Sequence, residues 1–303
     1  MPDFVEFQHP RLVSTPPNGA EWLHEIKFDG YRLQVQVRGG APKILTRNGH
    51  DWTAKFPELA RDISGLPDCV LDGELCALDE DGYSNFSNLR ASITPGKTGG
   101  LVLFTFDLLW RGGEDLRPFA LAARKAALRD LLAEAATPRL RWVDHFDQGG
   151  PALLQSACRL RLEGVVSKRK DAPYRAGRGE TWLKSKCRPG QEVVIGGWVQ
   201  ERLGRFKALL VGVYEHGELR YVGSVKTGFK GSADLLRQME SLRAERSPFA
   251  RGDPPWQHVN WTRPELVANL DIAEWTTGGQ LRQASFKGLR EDKDPREVVR
   301  ESG

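Results

Sequence analysis

From Trp22 to Arg38 apolar and polar residues alternate, and the alternation breaks only around Asp29-Gly30. Period-two alternation marks a half-buried strand and Asp-Gly marks a turn, so the pattern predicts two strands with Lys27 at the end of the first. Lys43-Ile-Leu-Thr46 predicts a short strand leading into an Asn48-Gly49 turn that presents Arg47. Phe56 to Ile63 carries apolar residues at helical spacing, stopped by Gly65-Leu66-Pro67. Cys69 to Leu78 reads as a strand pair around Asp72-Gly73, Ser84 to Ser92 as a short helix or loop, and Gly96 to Gly100 as a flexible linker. Leu101-Val-Leu-Phe-Thr-Phe106 is continuously apolar, as a strand covered on both faces would be, and is expected to end at Asp107. Leucines and alanines at helical spacing predict a helix from Ala120 to Ala136, and a second follows from Gly150 to Arg161.

Ahead of this region, residues 1 to 20 form an extended lead-in that Pro10, Pro16 and Pro17 keep out of helix. After Cys187-Arg188-Pro189-Gly190 the pattern changes to short strands at 192–195, 207–213 and 219–222, the last across a His216-Gly217 turn, with one helix at 233–243. About five strands and one helix fit a small Greek-key barrel of the OB type. The expected fold class is α+β, with a domain at 1–187 and a second at 188–303.

Composition narrows this little. The 303 residues are 40% hydrophobic and 28% charged, an ordinary globular balance, with neither a long apolar run nor a signal-like N-terminus, so a cytoplasmic address is expected. Cys69, Cys76, Cys158 and Cys187 contain no Cys-x-x-Cys pair and read as buried or inert thiols, without a zinc cluster or disulfide framework. The net charge of +4 hides a local excess: Ser167 to Arg188 holds eight bases against Asp171 and Glu180, interleaved with Tyr174 and Trp182. Such a run suits either a groove that tracks a phosphate backbone or a solvated charged loop.

Lys27-x-Asp29-Gly30 alone has many chance matches. In order behind it come Val70-Leu-Asp-Gly-Glu-Leu75, Phe104-Thr-Phe-Asp-Leu-Leu109, Glu163-Gly-Val-Val-Ser-Lys168 and Trp182-Leu-Lys-Ser-Lys186. The series resembles the covalent nucleotidyltransferases: ATP-dependent DNA ligases, RNA ligases and messenger-RNA capping enzymes. The flanked form His24-Glu-Ile-Lys-Phe-Asp-Gly-Tyr-Arg32 and the tail Ser285 to Pro295 resemble the ligase module of bacterial end-joining ligases, over nearly the whole chain.

That resemblance implies a nucleotidyltransferase (adenylation) domain followed by an OB domain, and an ATP-dependent DNA ligase. Lys27 would attack the α-phosphate of ATP to form a lysine-AMP phosphoramide, with Asp29 beside it and Lys184 and Lys186 on the α-phosphate. A free lysine is neutral in only about one molecule in 2,500 at pH 7, so Lys184, Lys186, Arg32 and a metal are expected to lower its pKa. Glu163 and Glu74 would hold Mg2+ or Mn2+, Glu74 alternatively the ribose; a carboxylate in an apolar strand otherwise needs a salt bridge. Phe106 would stack on the adenine with Val166 on its other face, and Glu25 with the Ile26 backbone would read its edge. Arg32 and Arg47 would grip the nucleotide and a 5′-phosphate, Lys168, Arg169 and Arg175 would line the DNA path, and Arg290, Asp292 and Lys293, with Arg282 nearby, would orient the leaving phosphates. The implied partners are nicked or broken duplex DNA and an end-bridging protein, for a monomer acting at the bacterial nucleoid. The initial Met and short tail favour a stand-alone enzyme over part of a longer one. An RNA ligase, a GTP-using capping enzyme and a non-catalytic DNA-binding module remain the alternatives.

Overall fold

The structure, a computed structural model, describes residues 1–84, 86–93, 98–135, 137–187, 190–201, 206–229 and 233–301. They form two compact units, Met1–Cys187 and Arg188–Ser302. The expected domain boundary at Cys187-Arg188-Pro189-Gly190 and linker at Gly96 to Gly100 fall partly outside the described residues.

In chain order the first unit contains β1 (Gln8–Leu12), β2 (Trp22–Lys27), β3 (Tyr31–Arg38), β4 (Ala41–Thr46), α1 (Pro57–Ile63), β5 (Cys69–Ala77), α2 (Phe86–Ser92), β6 (Leu101–Arg111), β7 (Glu114–Asp115), α3 (Leu121–Ala135), β8 (Leu140–Trp142), α4 (Gly150–Arg159), β9 (Gly164–Arg169) and β10 (Gly177–Lys186). Two sheets result. The first has the order β1-β10-β9-β2; the second runs β4-β3-β5-β6-β7, with β8 beside β6. Thus β2 and β3 are not the hairpin that the Asp29-Gly30 turn suggests: the chain leaves one sheet after Lys27 and enters the other at Tyr31. Gly30 is required at this crossing, because a Cβ there would lie 2.2 Å from the Leu75 carbonyl oxygen.

Two further expectations are corrected, and the extended lead-in takes part in a sheet. Cys69 to Ala77 is one continuous strand rather than a pair: Asp72-Gly73 stays in register with β3, and the pairing with β6 resumes after a shift between Asp72 and Gly73 that passes over Phe106. β6 continues past Asp107 to Arg111, because the Asp107 carboxylate is neutralised within the fold and need not reach water. The lead-in contributes β1, paired in parallel with β10. The main core lies under the second sheet, where Leu33, Val35, Leu71, Leu75 and Leu103 pack against Leu59 and Ile63 of α1 and Leu128 and Leu131 of α3. Where the sheets face each other, Val70, Leu109, Tyr174 and Trp182 form a smaller cluster with Phe106 at its margin.

The second unit contains β11 (Gly190–Gln200), β12 (Phe206–Glu215), β13 (Glu218–Val225), α5 (Ala233–Ser241), β14 (Arg243–Ala244), β15 (Asn260–Asp271), β16 (Glu274–Trp275), β17 (Leu281–Arg282) and β18 (Ser285–Leu289). Its main sheet is antiparallel, in the order β13-β12-β11-β15-β14 with β18 also on β15. The long β15 has weak alternation, with Pro264 inside it and polar residues on the exposed positions, and escapes a pattern reading. Trp198, Leu209, Val222, Leu270 and Met239 centre this unit's core.

Candidate active site

Register alone assembles the face that matters. Across the first sheet Lys27 stands opposite Gly164 and Gly164 opposite Lys186; two residues along, Glu25 faces Val166 and Val166 faces Lys184; two further, Leu23, Lys168 and Trp182 align. Residues at i and i+2 of a strand share a face, so these positions lie on one side of the sheet. The opposite side carries His24, whose Nδ1 is 2.8 Å from Ser167 Oγ. Gly164 opens the gap between the two end lysines and brings β9 against β10, where a Cβ would meet the Ser185 carbonyl oxygen at 2.1 Å.

At the open end of that face, Lys27 Nζ donates to Glu163 Oε2 at 2.8 Å, both side chains being about one-fifth exposed. Glu74 of β5 accepts the Gly30 N–H at 3.1 Å, and the Asp29 N–H donates to Ser84 Oγ. The second sheet therefore brings its carboxylate to the crossing from which Lys27 projects. Burial by itself would lower the Lys27 amine; Glu163, then Glu74 and Asp29, outweigh it and hold the amine above its ordinary range. This corrects the expectation of an amine held neutral by cationic neighbours, because the charges converging on it are carboxylates.

These oxygens fit a divalent cation of the magnesium or manganese kind. Hard cations take carboxylate oxygen, and magnesium is commonly held by one or two carboxylates with water and phosphate completing the shell. Among the described residues no group of three or more His, Cys, Asp or Glu forms a ready cage. Glu74 and Glu163 are donors of the two-carboxylate type.

One step deeper on the same face the composition inverts. Glu25 is 2% exposed and lies between two buried lysines: Lys125 Nζ of α3 is 2.5 Å from Oε1, and Lys168 Nζ of β9 is 2.6 Å from Oε2, the second contact off the hydrogen-bonding angle. Burial would raise the Glu25 carboxyl, but Lys168 and Lys125 overcome it and hold it below its ordinary range. At Lys168 burial dominates and lowers the amine despite Glu25. Lys168 also stands 4.2 Å from the ring centres of Phe106 and Trp182, whose rings meet edge to face at 6.0 Å. The Glu25 carboxylate is thus not a bare acceptor, and Lys168 belongs to the interior rather than to a DNA-tracking surface, because β9 turns it inward.

Arg32 is likewise committed. Its guanidinium forks onto the buried Asp72 at 2.9 and 2.7 Å, donates to the Gln8 carbonyl at 2.7 Å and lies over Phe7. Tyr174 Oη donates to the same carboxylate at 2.8 Å. The phosphate grip expected of Arg32 is therefore replaced by an inter-element clamp, since a buried fork binds the carboxylate it was folded against. Arg169 pairs with Asp171 at the surface, Arg175 is exposed, and Arg47 Nη2 lies 3.4 Å from His9 Nε2. Lys184 and Lys186 are partly buried on the shared face. In the second unit Arg290 forks onto Asp292 at 2.9 and 2.8 Å, Lys293 pairs with Glu192, and Arg282 pairs with Glu274.

Sequence reasoning missed Lys125, Arg124 and the Cys158–Cys187 disulfide. Arg124, fully buried, forks onto Asp107 at 2.8 Å through both nitrogens. Both basic residues fall on the inner stripe of α3 with Leu121, Leu128 and Leu131, so a charge at an apolar helical position was the available signal. Cys158 and Cys187 are bonded to each other, correcting their reading as free thiols, while Cys69 and Cys76 are free and buried. Their separation of 29 residues carries no local signature. A cleft of about 400 Å³, lined by Leu23, Lys125, Arg129, Trp142, His145 and Lys170, shares Lys125 with the buried cluster but none of Lys27, Glu74 or Glu163.

Comparison with known proteins agrees in sequence and in fold. The family described as "ATP dependent DNA ligase domain" matches residues 12–186, and "ATP dependent DNA ligase C terminal region" matches 202–293. The "Multifunctional non-homologous end joining protein LigD" of Pseudomonas aeruginosa is 40% identical over 312 residues, covering 99% of this chain and 37% of that protein. The corresponding Mycobacterium tuberculosis protein is 37% identical over 293 residues, covering 93% and 38%. This chain thus spans little more than a third of these curated relatives. A solved "mycobacterial DNA ligase D complexed with ATP and MES" superposes with a TM-score of 0.68 at 34% identity, covering 96% of this chain and 98% of that one. The ligase domain of M. tuberculosis LigD gives 0.51 at the same identity and the same coverage of both chains.

Proposed function

This chain belongs to the ATP-dependent DNA ligase family, and on that premise we propose that it seals breaks in duplex DNA through a lysine-AMP intermediate on Lys27. Residues 1–187 are read as the adenylation domain and 188–303 as the OB domain. The observation that carries the proposal is the row Lys27, Gly164 and Lys186 with Glu163 2.8 Å from the Lys27 amine.

In the first step Lys27 Nζ forms a bond to the α-phosphorus of ATP as the bond to the bridging oxygen breaks and pyrophosphate leaves. The ammonium must first lose a proton, and Glu163 Oε2 is the acceptor in contact with it. Lys184 and Lys186, on the same face, set positive charge against the phosphates; nucleotidyl transfer depends mainly on such positioning and neutralisation. A Mg2+ or Mn2+ ion bound at Glu74 and Glu163 would supply further positive charge there and weaken the carboxylate hold on the amine. Phe106 and Val166 flank the base, with Glu25 and the Ile26 backbone at its edge, and Asp29 helps fix the nucleophile's loop. AMP then passes to the 5′-phosphate of the break, and the 3′-hydroxyl displaces it. Arg47, Arg169 and Arg175 are the first unit's contacts for DNA; in the second unit Arg290 and Lys293 are already engaged by Asp292 and Glu192, which weighs against their expected role on the leaving pyrophosphate. The end-joining names of the relatives support a role in break repair at the nucleoid, with a monomer handed its DNA ends by an end-bridging protein. Among the described residues no helix is long and apolar enough to cross a membrane.

The test is incubation with α-labelled ATP and a divalent cation. A covalent, acid-labile adduct is expected on the wild type and not on Lys27→Ala; no adduct with any nucleotide or metal would overturn the assignment.

A further inference from the structure

Lys125 occupies an inner position of α3 where an apolar residue is expected, and its ammonium is the link between the two sheets at the closed end of the site. Nζ reaches Glu25 Oε1 of the edge strand β2 at 2.5 Å and the Val143 carbonyl at 3.0 Å. Val143 follows β8, and its own N–H donates to the Thr105 carbonyl, adjacent to Phe106. One ammonium therefore fixes the Glu25 carboxylate relative to the strand that carries the stacking ring. A lysine buried to 2% exposure is retained at a desolvation cost that a leucine would not incur.

We propose that Lys125 is a positioning residue that sets base specificity: by keeping Glu25 ionised and fixed, it makes the site prefer a purine with a 6-amino group over one with a 6-oxo group. The inference rests on the reading of Glu25 as the group at the base edge. An ionised carboxylate only accepts hydrogen bonds, and after its contacts with Lys125 and Lys168 each oxygen retains a lone pair. A 6-amino group can donate to it; a 6-oxo group meets negative charge. Without Lys125 only Lys168 opposes the burial that pushes the Glu25 carboxyl upward, and one oxygen is released; a Glu25 protonated there donates to a 6-oxo group instead.

The other charged groups nearby do not replace Lys125. Lys168 of β9 already holds the second oxygen, and its amine is lowered by burial. His145, beyond β8, is lowered first by burial and then by Lys125, and burial works against its standing in as a cation. Asp107 of β6, which acts on Lys168, is committed to Arg124.

Covalent labelling with ATP and with GTP between pH 6.5 and 8.5 tests this on Lys125→Met, Lys125→Gln and Lys125→Arg. Lys125→Met and the milder Lys125→Gln are expected to lose at least about tenfold of the ATP-over-GTP ratio, more at pH 6.5 than at pH 8.5, and Lys125→Arg to restore it. A purely structural lysine would instead depress both nucleotides equally at every pH, and that result on folded Lys125→Gln overturns the proposal. Glu25→Gln separates the two readings. An unchanged ratio there overturns Glu25 as the base-edge group and this proposal with it. A changed ratio there, with none in the Lys125 variants, overturns the role of Lys125 alone.

Discussion

Two residues apart on one face of β2, Lys27 and Glu25 sit in clusters of opposite composition. Around Lys27 one amine meets Glu163, Glu74 and Asp29, and the pair with Glu163 remains open to solvent. Around Glu25 one carboxylate meets Lys125 and Lys168, and all three are buried. The inner cluster has one ammonium more than its single carboxylate balances and is closed to water, so its carboxylate is held in place. The outer one carries more negative charge than its amine can balance, which a cation and a nucleotide together can use. What separates the two clusters is which sign is in excess and whether water reaches it.

The largest break in that contrast is Lys27→Ala, which should reduce covalent labelling by at least about 10³-fold while leaving the melting curve close to wild type. Next, Glu25→Ala strands two buried ammoniums and should destabilise the first unit by about 3–5 kcal/mol, read by urea unfolding. Glu163→Gln should act the other way round. Labelling falls about 10²–10³-fold, but stability moves by less than about 1 kcal/mol because that pair is partly solvated. Equal stability losses in Glu25→Ala and Glu163→Gln would erase the distinction.

Acid sharpens it further, because the second unit repeats the inner design with Glu192 between Lys293 and Arg290. Burial would raise the Glu192 carboxyl, but the two cations bring it to about 2 from an ordinary 4.5. A depressed carboxyl stabilises fully above its unfolded value and loses that contribution as pH falls through its folded value. Stability on the order of 2 kcal/mol should therefore disappear between about pH 4.5 and pH 2, and Glu192→Gln should flatten that limb. Lys27 gives the smallest stability effect. Its amine is raised, so its pairing is fully present below the ordinary lysine value and is lost only as pH rises through the higher folded value; thermal melts from pH 6 to 9 should show no loss from it. Labelling rate should climb over the same range, and Glu163→Gln should level off at lower pH.

Alternation and motif order were enough to place Lys27 at a strand end and Lys184 and Lys186 on one face of a later strand of an α+β chain, and register brought these three into adjacent rows. What the pattern could not convey is where a charged side chain spends its charge. Arg32 and Lys168 fall in stretches that invite phosphate contacts, yet Asp72 and Glu25, from strands distant in sequence, claim them. Lys125 was hidden because helical spacing is read from apolar residues, and a lysine on that stripe looks like noise until the facing carboxylate is known. The Asp29-Gly30 turn was visible, but not that it carries the chain between sheets, since both outcomes use the same local residues.

The sulfur bridge between Cys158 and Cys187 closes a ring that contains Glu163, Val166, Lys168, Lys184 and Lys186. A single proteolytic nick at the exposed Arg175 or Arg178, inside that ring, would leave both fragments joined on a denaturing gel until a thiol reductant is added. The chain can thus be cut between its late lysines and Glu163 without the two pieces drifting apart.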